Sequence, residues 1–230
     1  MWDDVNLVAR KLAVLTRMSS ELAEDAIIDL AAWLAEEVAY AFAEKEDDCL
    51  FNGDGTSTYG GIQGVLNKLS GKAGAVSATS GVDTFAEVTV TDLATLASTL
   101  PRYAHRNAKW YCSQVAYQLV FQDLAMAAGG RTMIETGTVR LESFNGYPIV
   151  ISEQLPTSAG DLSGEVMLLF GDLSKAGTLG DRRVVTVKVD ESRYLDYDQI
   201  AVQGTERFDI VVHDVGSDTA AGPVVGLVGN

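Results

Sequence analysis

The residue types that do chemistry crowd into one stretch, Glu46 to Leu66, which reads "EDDCLFNGDGTSTYGGIQGVL". A Walker-type phosphate cradle needs GxxxxGK[ST], because the Lys and the hydroxyl meet phosphate and metal. Gly55 and Gly60 have that separation, but Gly61 stands where the Lys is required. A dinucleotide fingerprint needs strand, turn and helix in that order, and this loop follows a helical pattern. An EF-hand needs acids at alternate positions and a closing Glu. Asp48, Asn52 and Asp54 lack that spacing, and no Glu closes the loop. The physical reading is a structural turn. Asn52-Gly53 and Asp54-Gly55 are consecutive dipeptides that tolerate positive φ, Gly53 is placed as the C′ residue that stops the preceding helix, and Thr56 completes the turn.

The remaining candidates assemble no mechanism. Ser113 has no nearby His and no GxSxG elbow. Cys112, beside Trp110 and Tyr111, reads as a buried thiol rather than a nucleophile. His105 and His213 stand alone, which leaves little material for a triad or an imidazole metal site. "DRR" at 181–183 and "ERF" at 206–208 offer arginines for salt bridges, and no distinctive carboxylate pair emerges for glycoside hydrolysis. No catalytic residue, cofactor ligand or metal ligand is assigned.

Composition narrows the class. The 230 residues are 47% hydrophobic, enough for a sizeable core in one large domain or two lobes. A formal net charge of −15 disfavours broad contact with a phosphate backbone. Two cysteines without a CxxC argue against a disulfide framework or structural zinc, and for a reducing cytoplasm. No apolar run approaches the ~20 residues of a membrane span, and "MWDDVNLVARK" lacks the apolar stretch of a signal peptide.

Elements must hold the loop in place. Residues 5–16, "VNLVARKLAVLT", have strand-like composition, with Val5, Leu7, Ala9, Ala13 and Leu15 on one alternating face. A helix is predicted over 20–48, capped near Ser19 or Ser20, with Glu21, Glu24 and Asp25 in its first turns. Ile27, Leu30, Leu34, Val38 and Phe42 form its apolar stripe, and at 1.5 Å per residue it spans roughly 40 Å. Glu44, Glu46, Asp47 and Asp48 crowd its C-terminal end, where the dipole prefers cations. They read either as a solvated acidic end or as a contact with basic residues of another segment or subunit. Residues 83–100 read as largely helical, and "KWYCSQVAYQLVFQDLAMA" as a strand followed by a helix. "GYPIVISEQLP", "EVMLLFGD", "RRVVTVKVD" and "QIAVQGTERFDIVVH" read as strands, the last with Ile200, Val202, Phe208, Ile210 and Val212 on one face. The order is mixed α+β without regular βαβ alternation.

"SSELAED", the long Ala/Glu-rich helix, "FNGDGT", "GIQGVL", "GYPIVISEQLP", "LLFGDLSKA" and "DQIAVQGTERFDIVV" follow one another in an order that resembles the major capsid proteins of tailed bacteriophages, the Hong Kong 97-type shell family. The resemblance runs from about residue 5 to 213. It implies an L-shaped subunit whose peripheral lobe comprises 1–89 and 183–209, with the helix as spine and 5–16 as a residual E-loop strand. An axial lobe would comprise 90–182 and 210–230. "DESRYLDYD" would sit at a hairpin tip that meets neighbours around three-fold axes. Candidate subunit contacts are Asp47, Asp48, Asp190, Glu191, Arg193, Tyr194, Glu206 and Arg207.

The same resemblance implies a virion protein assembled in the host bacterial cytoplasm, structural rather than catalytic. Its partners would be copies of itself in capsomers, with scaffold, protease, portal or decoration proteins beside them. No specific nucleic-acid sequence, cofactor or membrane is implied. The N-terminal arm and most of the E-loop are expected to be missing, which predicts weak or absent shell formation by this chain. Asp198 and Thr205 stand where crosslinking members of the family carry Asn and Glu, so no isopeptide crosslink is expected. An encapsulin-like compartment shell is the alternative on the same fold, with "FNGDGT" favouring the phage type. An acidic α+β hydrolase or small-molecule binder is the alternative from another class.

Overall fold

Two sheets divide the strands of the computed structural model, which describes residues 5–21, 30–127, 133–136 and 139–230. In chain order the strands are β1 (Arg10–Ser19), β2 (Ala75–Ser77), β3 (Lys109–Cys112), β4 (Met133–Thr136), β5 (Val139–Phe144), β6 (Tyr147–Ile151), β7 (Val166–Gly171), β8 (Gly177–Tyr194), β9 (Gln199–Val212) and β10 (Val224–Val228). The principal helices are α1 (Leu30–Asn52), α2 (Val65–Leu69) and α3 (Val90–Thr99). A three-stranded antiparallel sheet has the order β1-β9-β8, and a seven-stranded mixed sheet the order β2-β10-β7-β3-β6-β5-β4. Among the described residues no helix is long and apolar enough to cross a membrane.

The larger sheet is buried on both faces, which is why β7 reads as the unbroken run "VMLLF". Leu168 and Phe170 point into one core with Trp110, Cys112, Phe85, Leu96 and Phe121. Leu169 and Tyr111, one position out of phase, point into the other with Phe51, Leu69, Val212 and Val224. Trp110 lies 4.1 Å from Phe170 between ring centroids, and its Nε1 donates to the Phe144 carbonyl at 3.2 Å. The polar tip of a fully buried indole is thereby satisfied. Asn145 (φ 51) and Gly146 (φ 82) both adopt the left-handed region and join β5 to β6, a turn that needs Asn-Gly or its equivalent.

In the smaller sheet β9 presents Val202, Gly204, Glu206, Phe208, Ile210 and Val212 on one buried face. The helix α1 crosses that face at Gly204, where an added Cβ would lie 2.5 Å from Val38 Cγ1 and 2.9 Å from Phe42 Cε2. A glycine there lets the helix sit close to the strand. The apolar end of α1 carries Phe51 onward into the core shared with the larger sheet.

Several boundaries differ from expectation, each for a tertiary reason. The strand expected at 5–16 is β1 at Arg10–Ser19. Its register with β9 runs from Arg10↔Phe208 to Ser19↔Gln199, and beyond Arg10 the Val8 N–H donates instead to Asp209 Oδ2 at 2.6 Å. The helix expected to end at 48 continues to Asn52, because Cys49 and Phe51 extend its buried stripe. Its predicted first turns, with Glu24, Asp25 and Ile27, lie outside the described residues. The helix expected over 83–100 is broken into a 3₁₀ turn, Phe85–Glu87, and α3. Two successive capping boxes, Thr84 with Glu87 and Thr89 with Asp92, start a helical segment twice. β2, within the expected peripheral set, pairs in parallel with β10 of the larger sheet, and β8 begins at Gly177 in the smaller one.

Candidate functional site

The β8–β9 ribbon ends in a 3₁₀ turn, Leu195–Tyr197, closed by Asp198 in the left-handed region at φ 50. The end of β1 is tied to it, since the Ser20 N–H donates to the Asp198 carbonyl at 3.1 Å. Leu195 and Tyr197 are 75% and 72% exposed at the very tip. Val187 and Val189, whose alternation suggests a buried strand face, point to solvent at 40% and 62%. The alternation is real: they pair with Gly204 and Val202 on the side of the sheet that α1 crosses, but the helix packs on β9 and leaves these positions of the edge strand β8 exposed.

Of the candidate contacts, Asp190 and Arg193 are exposed on this ribbon. Asp190 is engaged locally, its Oδ1 accepting from the Ser192 N–H at 2.9 Å and the Ser192 hydroxyl at 2.6 Å, which holds its carboxyl below the usual range. Tyr194 is half-buried, with the guanidinium carbons of Arg17 and Arg193 at 5.1 and 5.6 Å from its ring centroid. The Glu191 side chain lies outside the described residues. Arg207 Nη2 donates to the Ala9 carbonyl at 3.2 Å, tethering the segment that precedes β1. Glu206 is buried, 6% exposed, and faces its own helix, so it offers no surface to a neighbour.

The turn 52–56 is structural, but not for the reason its dipeptides suggest. Gly53 is not among the positive-φ residues; an added Cβ would meet the Cys49 carbonyl at 2.6 Å and the Ile62 carbonyl at 2.7 Å. Close packing of three backbone segments demands glycine there, while Gly55 is the one needing left-handed geometry, at φ 80. Asn67 Nδ2 donates to the carbonyls of Asn52 (3.0 Å) and Gly53 (2.8 Å), satisfying orphan groups at the helix end. Asn52 Nδ2 donates to Asp48 Oδ1 and to the Gln154 carbonyl, both at 3.1 Å. Asp54 Oδ1 accepts from the Thr56 N–H at 2.8 Å.

The acids of "EDD" separate into three environments. Asp48 pairs with Lys45 at 2.6 Å, and Asp47 is exposed. Because α1 runs on to Asn52, both stand a turn before the negative end of the dipole. Glu46 turns inward toward Asp181 and Glu206. Burial, and then the charges of Glu206 and Asp181, push its carboxyl up to about 7. Burial and the Asp181 charge raise Glu206 as well. The sequence pattern missed this grouping, although Glu46 continues the Val38–Phe42 stripe by one turn.

The other reactive residue types have structural work. His105 bridges the Tyr147 hydroxyl at 3.0 Å and the Leu100 carbonyl at 3.1 Å. Ser113 is fully buried, donates to the Pro156 carbonyl at 2.6 Å and caps the helical turn Gln114–Ala116 by accepting from the Ala116 N–H. Cys112 is fully buried, and burial pushes its thiol up to about 12.

The family model for the phage capsid family matches residues 1–217. The chain belongs to the phage capsid family. Solved structures share its fold, the Hong Kong 97-type capsid fold. The capsid of an empty GTA particle superposes with a TM-score of 0.70 at 18% identity, over 97% of this chain and 74% of that one. A Mycobacterium phage Adephagia chain gives 0.65 at 20% identity over 97% and 73%. The holo-SrpI encapsulin of Synechococcus elongatus PCC 7942 gives 0.66 at 12% identity over 96% and 74%. No curated protein matches the sequence.

Proposed function

We propose that the chain is a structural subunit of an icosahedral phage head, which associates with copies of itself in hexamers and pentamers around a DNA genome. Membership of the phage capsid family across residues 1–217 carries this reading. The virion is its place of action, with assembly in the host bacterial cytoplasm and with scaffold, protease, portal or decoration proteins as further partners. An encapsulin-like compartment uses the same fold, and the family match favours the phage head over it.

In this reading 1–89 and 183–209 form the peripheral lobe, and 90–182 with 210–230 the axial lobe. The division of strands between two sheets supports two lobes, with β2 on the larger sheet and the start of β8 on the smaller one crossing those bounds. The contact surface is the β8–β9 tip, where Asp190, Arg193 and Tyr194 surround the exposed Leu195 and Tyr197. Asp47 adds a second exposed point on α1. Glu206 and Arg207 act within the subunit, holding the helix side and the β1 approach of the hairpin.

The test replaces Leu195→Asp and Tyr197→Asp together, in the chain joined to the N-terminal arm and E-loop of the family, and compares shell yield by sedimentation and electron microscopy. Both side chains are exposed, so the unfolding midpoint and circular dichroism of the subunit are expected to stay at the parent values. Shell yield is expected to collapse, because each copy loses apolar contact worth about 1–2 kcal/mol per buried side chain. Shells at parental yield would remove the tip from the contact surface.

A further inference from the structure

Three carboxylates from three elements converge beneath the hairpin: Glu46 of α1, Asp181 of β8 and Glu206 of β9. One oxygen of each lies within 4.8 Å of the others. Register explains the convergence. Asp181 pairs with Phe208, which puts it on the helix-facing side of the ribbon, diagonal to Glu206. A β-bulge follows immediately, between Asp181 and Arg183, and locally bends the strand there. Glu46 meets them from above, one helical turn beyond Phe42.

Among the described residues the ion pairs are Lys45–Asp48, Lys72–Asp218 and Lys175–Asp172, and none reaches this group. Glu206 is only 6% exposed, and its Oε2 is buried without a hydrogen-bond partner. A carboxylate oxygen removed from water with no donor supplied in exchange is costly to keep. Three carboxylates facing one another without a cation compound that cost whenever all of them are ionised.

We propose that Glu46, Asp181 and Glu206 form a calcium-type divalent-cation site that fastens α1 to the β8–β9 hairpin. The donor set is oxygen alone, which suits hard cations and offers nothing to metals that prefer imidazole or thiolate. Oxygens on opposite sides of Ca²⁺ stand roughly 4.6–5.2 Å apart, against about 4.0–4.2 Å for Mg²⁺. A group contained within 4.8 Å is compact enough to share one cation, and the parallel calcium and magnesium titrations separate the two ions. Asp181 is exposed, so the cation enters from its side and water completes the coordination there. The site is independent of the shell reading, since it concerns how one chain holds its own helix and hairpin.

The test uses the full chain stripped of metal by chelator. It is titrated with calcium chloride alone by isothermal calorimetry, with magnesium chloride in parallel, and thermal unfolding is followed with and without calcium. One site per chain is expected, with a dissociation constant on the order of 10⁻⁴ M, because three carboxylates fill only part of the about six to eight positions around Ca²⁺. At calcium about 100-fold above that constant the midpoint is expected to rise by roughly 5–10 °C. Asp181→Asn, an exposed change that leaves the fold intact, is expected to weaken binding by about tenfold or more, in line with the loss of one of three ligands. Glu46→Gln is expected to abolish the calcium-dependent rise. Absence of heat and of any calcium-dependent shift in the parent chain would overturn the site, as would equal calcium affinity in parent and Asp181→Asn. A parent chain indifferent to calcium, with Glu46→Gln more stable than it, would assign the group to a shared proton instead.

Discussion

Gly204→Ala is a one-carbon change whose sign is decided by packing rather than by the backbone. Gly204 is not among the positive-φ glycines, so alanine fits the strand conformation. By that consideration alone the substitution would stabilise by about 0.4–1 kcal/mol, through a less disordered unfolded chain. The added Cβ, however, would lie 2.5 Å from Val38 Cγ1 and 2.9 Å from Phe42 Cε2. Val38 and Phe42 are 3% and 1% exposed, and a β-branched valine in a helix has little rotamer freedom with which to retreat. The helix must therefore lift from β9, at about 1–3 kcal/mol for overpacking, which leaves a net loss of roughly 1–2 kcal/mol. Val38→Ala alone removes the equivalent of two methylenes and leaves a cavity, a loss of about 2–3 kcal/mol. In the double variant the new Cβ occupies the space Val38 vacates. The combined loss is expected to fall short of the sum by about 1–2 kcal/mol. Urea unfolding of parent, both single variants and the double variant, with equal slopes, measures this coupling. Additivity within about 0.5 kcal/mol would refute the close crossing of α1 over β9 at this position.

Two further outcomes follow from buried polar and thiol groups. Asp92 accepts from the Thr79 N–H and hydroxyl at 3.0 and 2.6 Å and from the Thr89 N–H and hydroxyl at 2.9 and 2.6 Å. Asp92→Ala is expected to cost about 2–4 kcal/mol in urea unfolding, since it uncaps α3 and orphans the Thr79 loop together. Burial pushes the Asp92 carboxyl up, but the Thr79 and Thr89 hydrogen bonds outweigh it and hold the group at about 2, below its ordinary 3.8. Its stabilisation is therefore complete above the ordinary value and lost as pH falls toward about 2. Asp92→Asn should flatten that acid limb; an unchanged limb would show the hydrogen bonds to be without effect. Cys49 and Cys112 are buried, and burial raises both thiols, Cys112 to about 12. A thiol reagent such as DTNB should leave both untouched in the native chain and label both in urea. Immediate labelling of the native chain would contradict their placement.

The period-two and helical patterns were legible because each is set by local geometry. "VMLLF", the even face of β9 and the Val38–Phe42 stripe all lie where their spacing puts them. The exposed "DESRYLDYD" tip was legible too, as a polar break between two strands that pair antiparallel. Other features were not. Nothing near Val187 and Val189 says that they are exposed while their partners Gly204 and Val202 are buried, because cover comes from elements distant in sequence. The requirement for glycine at 53 arises from carbonyls of Cys49 and Ile62 meeting there, not from its own φ.

By itself the sequence determined the long helix and the longer strands, though not β2, β4, β5 or β10, together with the mixed α+β class and, through the order of its motifs, the capsid family. Alternation, caps and turn dipeptides act over a few residues, so they are written where they act. Only the tertiary structure decided the company Glu46 keeps. Its register on α1, the Asp181↔Phe208 pairing and the bulge that follows bring together residues far apart along the chain. Whether an acid is a solvated charge or one of three facing carboxylates depends on what lies across from it, and that is settled by packing.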